Sequence, residues 1–267
     1  MRHITTLSDF NYLSQGLALL QSLEKSSVPY TVHYLCLDDK TFEYLQASDN
    51  KNVIPYLYSW IGLEELRESN YPDYCYTLAS YFTRLIVVNE LNMDSICYID
   101  SDVFFQKDIG FLYKALGDAE VGIFSHLQFT KEMNRSEGLY NCGVVYFAGV
   151  NGFRVLDWWA NAVLAKEPKN LATCGDQRFL EMFPKLSDKV SIDCVKHGAQ
   201  WEWQMLDIDE LKGLCFVHFS KFKWNEQNYE PSTQHQIYTS NETVMKTPEL
   251  KAIFDNYYSV VKSFKIW

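Results

Sequence analysis

The apolar positions fall into short runs divided by polar turns, and the spacing within each run predicts its element. Residues 3–7 (HITTL) read as a short strand. Leu13, Leu17, Leu20 and Leu23 recur at the interval of one helix face. Tyr30 to Leu37 (YTVHYLCL) predicts a second strand, ending on Asp38-Asp39. Thr41 to Ala47 predicts a helix, Asn52 to Leu57 a third strand, and Tyr76 to Leu91 a long helix packed on the sheet. Ile96 to Ile99 is a buried strand. The second half is less regular. Val121 to Phe124 and Gly143 to Phe147 predict strands, and Asn151 to Ala165 and Asp176 to Met182 predict helices. Leu214 to His218 is a further buried strand, and a helix from about Pro248 to Lys262 closes the chain. Alternation of strand and helix predicts a parallel α/β sheet. Such sheets bind ligands outside the carboxyl ends of their strands, near a switch in strand order.

One stretch falls where that architecture puts its site. In ICYIDSDVFF the apolar strand runs into Asp100-Ser101-Asp102 and then another apolar run. Two carboxylates two residues apart repel each other unless a cation sits between them. Solvated loop aspartates are the plain alternative, but apolar residues on both sides make this an odd place for idle charge. His218 to Asn225 (HFSKFKWN) closes the late buried strand. A neutral imidazole there can complete a metal site begun by two carboxylates. Lys221 or Lys223 can hold a phosphate oxygen as a point charge; a core histidine with two surface lysines is the alternative.

Three more motifs are weaker. Asp9-Phe10-Asn11-Tyr12 follows the first strand, where short polar side chains can read a base and ribose while Tyr12 stacks. Asp9 or Asn11 can also simply cap the next helix. In YFTRL, Tyr81 to Leu85, Arg84 can approach the aspartates or form a surface ion pair. Asn141-Cys142-Gly143 opens a strand and Gly175-Asp176-Gln177 opens a helix, with Asp176 either a ligand or an N-cap.

Composition narrows the classes. The net charge of −10 over 267 residues argues against a nucleic-acid backbone binder. Apolar residues make up 47%, enough for a sizeable core. Seven cysteines without a CxxC predict free thiols and a reducing compartment, hence a cytoplasmic protein. The N-terminus MRHITTLSDFNY has no apolar core of the signal-peptide kind, and no run of 18 apolar residues predicts a membrane helix. Lys246, Lys251, Lys262 and Lys265, with Phe264 and Trp267, can touch the inner face of an anionic membrane or form a solvated helix face. Residues 125–140 read as a loop beside the site, a lid or acceptor wall.

In this order the motifs resemble those of metal-dependent glycosyltransferases of the GT-A fold, above all family 8, typified by lipopolysaccharide galactosyltransferases and glycogenin. The resemblance runs over about residues 3 to 225. It rests on Asp9, Asn11 and Tyr12; Tyr81 to Leu85; Asp100 and Asp102; Tyr140 to Gly143; Asp176-Gln177; and His218 with the lysine before Trp224. The family's glycine and proline between histidine and tryptophan are absent, so Lys221 and Lys223 both answer to its lysine.

What the resemblance implies is specific. The fold would be α/β, a GT-A (Rossmann-like) single domain with a mixed, mainly parallel central sheet. Residues 1–225 would form it, with 1–105 the nucleotide-binding half and 106–225 the acceptor-side half; 226–267 would be a C-terminal helical extension. Asp100, Asp102 and His218 would hold Mn²⁺ or Mg²⁺ on the diphosphate of a UDP sugar. Asp9, Asn11 and Tyr12 would hold the nucleoside. Arg84, Ser101, Asn141 and Lys221 would also contact the donor. Gln177, Asp176 and Lys223 would be catalytic, in transfer of a hexose to a glycan, lipid-linked glycan or other hydroxyl with retention. Two other readings stay open: a non-catalytic sugar-nucleotide-binding protein of the same fold, and a metal-dependent phosphohydrolase. Phe104 stands where the phosphohydrolase motif has Thr or Val.

Overall fold

The structure is a computed structural model and describes residues 1–90, 92–126, 138–170, 175–198, 208–220, 222–230, 244 and 246–266. β1 (Arg2–Ser8) leads through a 3-10 turn (Phe10–Tyr12) into α1 (Leu13–Leu23), followed by β2 (Tyr30–Cys36), α2 (Asp39–Gln46) and β3 (Val53–Leu57). Then come α3 (Glu64–Ser69), α4 (Tyr71–Asn89), β4 (Ser95–Ile99), β5 (Val103–Phe105), α5 (Gly110–Leu116), β6 (Val121–Ser125), β7 (Tyr140–Ala148) and α6 (Gly149–Ala165). A 3-10 segment (Gln177–Met182), α7 (Phe183–Leu186), β8 (Val190–Ile192), β9 (His197–Gly198), α8 (Ile208–Gly213) and β10 (Phe216–His218) follow. β11 (Lys223–Trp224), β12 (Tyr229–Glu230) and α9 (Pro248–Ser263) complete the described elements.

The main sheet has the order β3-β2-β1-β4-β7-β6-β8. β1 is parallel to β2 and β4, β2 to β3, and β6 to β8. β7 runs antiparallel to both β4 and β6. The sheet is therefore mixed and mainly parallel. Its strand order reverses at β1, which has β2 on one side and β4 on the other. A crevice forms at such a reversal, outside the carboxyl ends of the two strands. Asp9 follows β1 and Asp100 follows β4, so both of these motifs lie at this crevice.

Strand alternation divides the core. Cys97 and Ile99 face α1 and α5, packing with Leu19, Leu23, Leu112 and Leu116. Ile96 and Tyr98 face α4 and α6, packing with Leu78, Phe82, Val155 and Trp159. A third core lies beneath the C-terminal helix. There Leu250, Phe254, Tyr257 and Val261 of α9 pack on Phe104, Val217, Phe219 and Phe222. The segment expected as an extension thus covers the smaller β5-β10-β9 sheet.

Some elements differ from the expectation. The long helix begins at Tyr71 rather than Tyr76, because Asn70 accepts a hydrogen bond from the Asp73 N–H at 3.2 Å and a proline occupies the first turn. The helix expected at 176–182 is 3-10, and the late strand is confined to Phe216–His218. Residues 127–137 of the expected loop lie outside the described residues. Six described cysteines are free. Among the described residues no helix is long and apolar enough to cross a membrane.

Candidate functional site

The Asp-Ser-Asp stretch is a β-turn. The Val103 N–H donates to Asp100 O at 3.0 Å, folding the chain from β4 of the main sheet into β5 of the small one. The turn is pinned twice more. The Asp100 N–H donates to Gly143 O at 2.9 Å, and the Phe219 N–H to Asp102 O at 2.9 Å. β5 then pairs antiparallel with β10, placing Val103 opposite His218. This register brings the histidine beside aspartates more than a hundred residues away in sequence.

His218 Nε2 lies 3.0 Å from Asp102 Oδ1 and 3.4 Å from Asp100 Oδ2. One ligand atom from each of the three residues lies within 4.8 Å of the others. The side chains are 25%, 14% and 7% exposed for Asp100, Asp102 and His218, so an ion can enter but is largely removed from water. Burial alone would lower the His218 pKa. The charge and hydrogen bond of Asp102, and the charge of Asp100, outweigh it and raise the group to about 9. Burial raises Asp100 to about 6, with Asp102 adding to the effect and His218 opposing it. The Tyr98 O–H, two residues earlier on β4, donates to Asp100 Oδ1 at 2.5 Å. Without an ion, a protonated imidazole holds the two carboxylates together.

Behind His218 stands Asn141. Its Oδ1 accepts from the Gly143 N–H at 2.8 Å and faces His218 Nδ1 at 2.8 Å, while its Nδ2 faces His126 Nε2 at 2.9 Å. An amide oxygen can only accept, so Nδ1 of His218 carries the proton and Nε2 is directed at the aspartates. Such support is what a metal-ligating histidine needs. Asn141 was expected against the donor; its amide is buried against the histidine instead. Gly143 makes room for this pair, since a Cβ there would sit 2.4 Å from His218 Nδ1 and 2.8 Å from Asn141 Oδ1.

The other expected residues fall in three places. Asp9 caps the 3-10 turn, accepting from the Tyr12 N–H at 3.1 Å and from Asn11 Nδ2 at 3.3 Å. Tyr12 remains 44% exposed. Sequence reasoning passed over Asp38, which accepts from the Phe10 N–H at 2.7 Å and the Thr41 N–H at 2.8 Å. It ties the Asp9 loop to the end of β2. Burial would raise its pKa, but these bonds hold it below the usual carboxylate range.

Asp176 is buried beside Asp100, and its side chain makes no capping bond. Burial first, then the charge of Asp100, raises its pKa to about 7. Gln177 Oε1 lies 3.8 Å from Cys142 Sγ. Gly175 carries φ +56° and sits under the Tyr76 ring, where a Cβ would come within 2.7 Å. Ser101 is buried within the turn.

Arg84 lies elsewhere. Its Nε pairs with Asp157 Oδ1 at 2.5 Å, joining α4 to α6 on the surface. α4 leads toward the start of β4, so a residue late in the helix is carried away from the carboxyl end. Lys223 is exposed on β11, opposite Glu230. Lys221 lies outside the described residues.

No protein-family model matches the chain. It is 28% identical over 240 residues to the uncharacterized protein YfnF of Bacillus subtilis (strain 168), covering 79% of this chain and 78% of YfnF. The glycosyltransferase GlyE of Streptococcus pneumoniae TIGR4 superposes with a TM-score of 0.56 at 15% identity, over 97% of this chain and 65% of GlyE. The galactosyltransferase LgtC, in complex with donor and acceptor sugar analogs, superposes with a TM-score of 0.52 at 13% identity, over 94% of this chain and 99% of LgtC. The chain has the GT-A fold. Within the GT-A frame the Asp-Asp-His group sits at the carboxyl end of β4, beside the exposed Tyr12 ring and the buried Asp176 carboxyl.

Proposed function

We propose that the protein is a metal-dependent glycosyltransferase that moves a hexose from a UDP sugar to a hydroxyl of a glycan or lipid-linked glycan, with retention at the anomeric carbon. The observation that carries this reading is the convergence of Asp100, Asp102 and His218 at the strand-order reversal of a GT-A fold. Their mixed oxygen and nitrogen donors suit Mn²⁺, with Mg²⁺ the second choice. The Asn141 contact, which frees Nε2 of His218 for an ion, supports the fit. When bound, the ion supplies Lewis acidity to the departing diphosphate.

The chain's own residues do the rest. Asp9 and Asn11 bind the nucleoside, and the exposed ring of Tyr12 stacks on its base. Lys223 adds positive charge where the leaving group develops negative charge. Asp176, with a pKa near neutrality, offers either a donor or an acceptor to a hydroxyl of the transferred sugar. Gln177 and Ser101 orient that sugar. LgtC, of the same fold, has been solved with donor and acceptor sugar analogs, which supports a reading in which this chain takes both a donor and an acceptor.

The test is a panel of UDP sugars incubated with the protein, with release of UDP as the readout. At least one sugar should release UDP with Mn²⁺ and not with EDTA. Asp102→Ala should lower that rate by at least about a hundredfold. Release that is indifferent to EDTA, or unchanged in Asp102→Ala, contradicts the reading.

A further inference from the structure

The C-terminal helix brings one polar atom to this site that sequence reasoning passed over. Tyr257 of α9 is fully buried. Its ring stacks on Phe219 at 3.8 Å and meets Phe104 edge-on at 5.6 Å. Both neighbours belong to the ligand-bearing segments: Phe219 follows His218, and Phe104 lies two residues after Asp102. The Phe219 N–H in turn donates to Asp102 O at 2.9 Å. Among the described residues the Tyr257 hydroxyl has no hydrogen-bond partner. Its hydroxyl feels the charge of Asp102.

A buried hydroxyl without a partner is rare in a folded protein and is destabilising unless it finds one. Asp102 has the complementary need. In this structure its Oδ1 takes His218 Nε2 at 3.0 Å. One ring nitrogen cannot both donate to Asp102 and ligate a cation. Once an ion takes Nε2, Asp102 loses that donor and retains carboxylate lone pairs that the ion does not use. Among the described residues the Tyr257 O–H is a buried donor without a partner, on a ring packed against Phe219 and Phe104 of the ligand-bearing segments. We infer that Tyr257 is a positioning residue for the metal centre, its hydroxyl donating to the Asp102 carboxylate when the cation is bound. This rests on the metal reading of Asp100, Asp102 and His218. The C-terminal helix then becomes part of the site rather than a cover over it.

The test is Tyr257→Phe, which keeps the ring and removes the one atom at issue. Mn²⁺ alone is titrated into wild type and variant by calorimetry, without nucleotide. The expected result is an approximately tenfold or greater loss of Mn²⁺ affinity, with the unfolding midpoint in EDTA unchanged or raised. Phe254→Leu perturbs the same helix without touching the hydroxyl. Even where it lowers stability, it should cost less Mn²⁺ affinity than Tyr257→Phe. Equal Mn²⁺ affinity in wild type and Tyr257→Phe overturns the inference and leaves the metal site standing, whatever happens to UDP binding. Failure of the wild type itself to bind Mn²⁺ overturns the metal reading and this inference with it.

Discussion

At the scale of single residues, the site depends on small atoms as much as on its charged ones. Asn141 fixes which nitrogen of His218 faces the aspartates, and Gly143 leaves the space in which both side chains stand. A methyl at position 143 would force His218 or Asn141 to move, and both are buried. Gly143→Ala should therefore cost about 1–3 kcal/mol of stability and weaken Mn²⁺ binding at least about tenfold. Urea unfolding and metal titration of the same preparation check the two effects. The sequence showed Asp100, Asp102 and His218 as candidates because apolar strands flank them. It did not show Asn141 as their support, since an asparagine opening a strand looks the same whether it faces a sugar or a histidine. Arg84 was misleading for a related reason. The motif gives its position on a helix but not which neighbour, here Asp157, its guanidinium meets.

At the scale of elements, strand pairing decides which groups meet. β1, β2 and β3 lie side by side in parallel, and their register sets His3, His33 and Tyr56 on a diagonal, each two residues further along its strand than the residue opposite the one before. His3 Nδ1 and His33 Nε2 lie 3.1 Å apart and can share only one proton, while His33 Nδ1 lies 3.1 Å from the Tyr56 hydroxyl. The imidazoles stack at 5.4 Å. Burial, and then the neighbouring His3, lower the His33 pKa to about 4. Burial also lowers His3, with Glu90 opposing. A histidine with a depressed folded pKa binds its proton more readily in the unfolded chain. The stability it protects is complete above about pH 6.5 and is lost as pH falls toward 4. For His33 the loss is up to about 3 kcal/mol. Urea midpoints measured from pH 7 to 4 should fall more steeply in wild type than in His33→Gln; parallel curves would contradict this account. Element type and order were largely legible from apolar spacing. Strand direction was not: β7 has the same pattern of buried residues whether it runs with β4 or against it. The 3-10 turn at 177–182 likewise shares its apolar spacing with a helix.

At the scale of the whole molecule, the strand-order reversal at β1 and the turn from β4 into β5 create one crevice from distant parts of the chain. The N-terminal loop supplies Asp9 to Tyr12, the middle supplies the two aspartates, and β10 supplies the histidine. α9 closes the apolar core beneath them. Motif order along the sequence was enough to suggest this convergence. The β5–β10 register and the third core were not legible, because both depend on contacts between segments far apart in sequence. The central claim is that Asp100, Asp102 and His218 hold a cation that in turn holds a nucleotide diphosphate. The most direct measurement is calorimetric titration of UDP into the protein, first with Mn²⁺ and then with EDTA. The account predicts binding that requires Mn²⁺ and disappears in Asp102→Ala. UDP binding of equal strength in EDTA, or no binding of UDP in either condition, would contradict it.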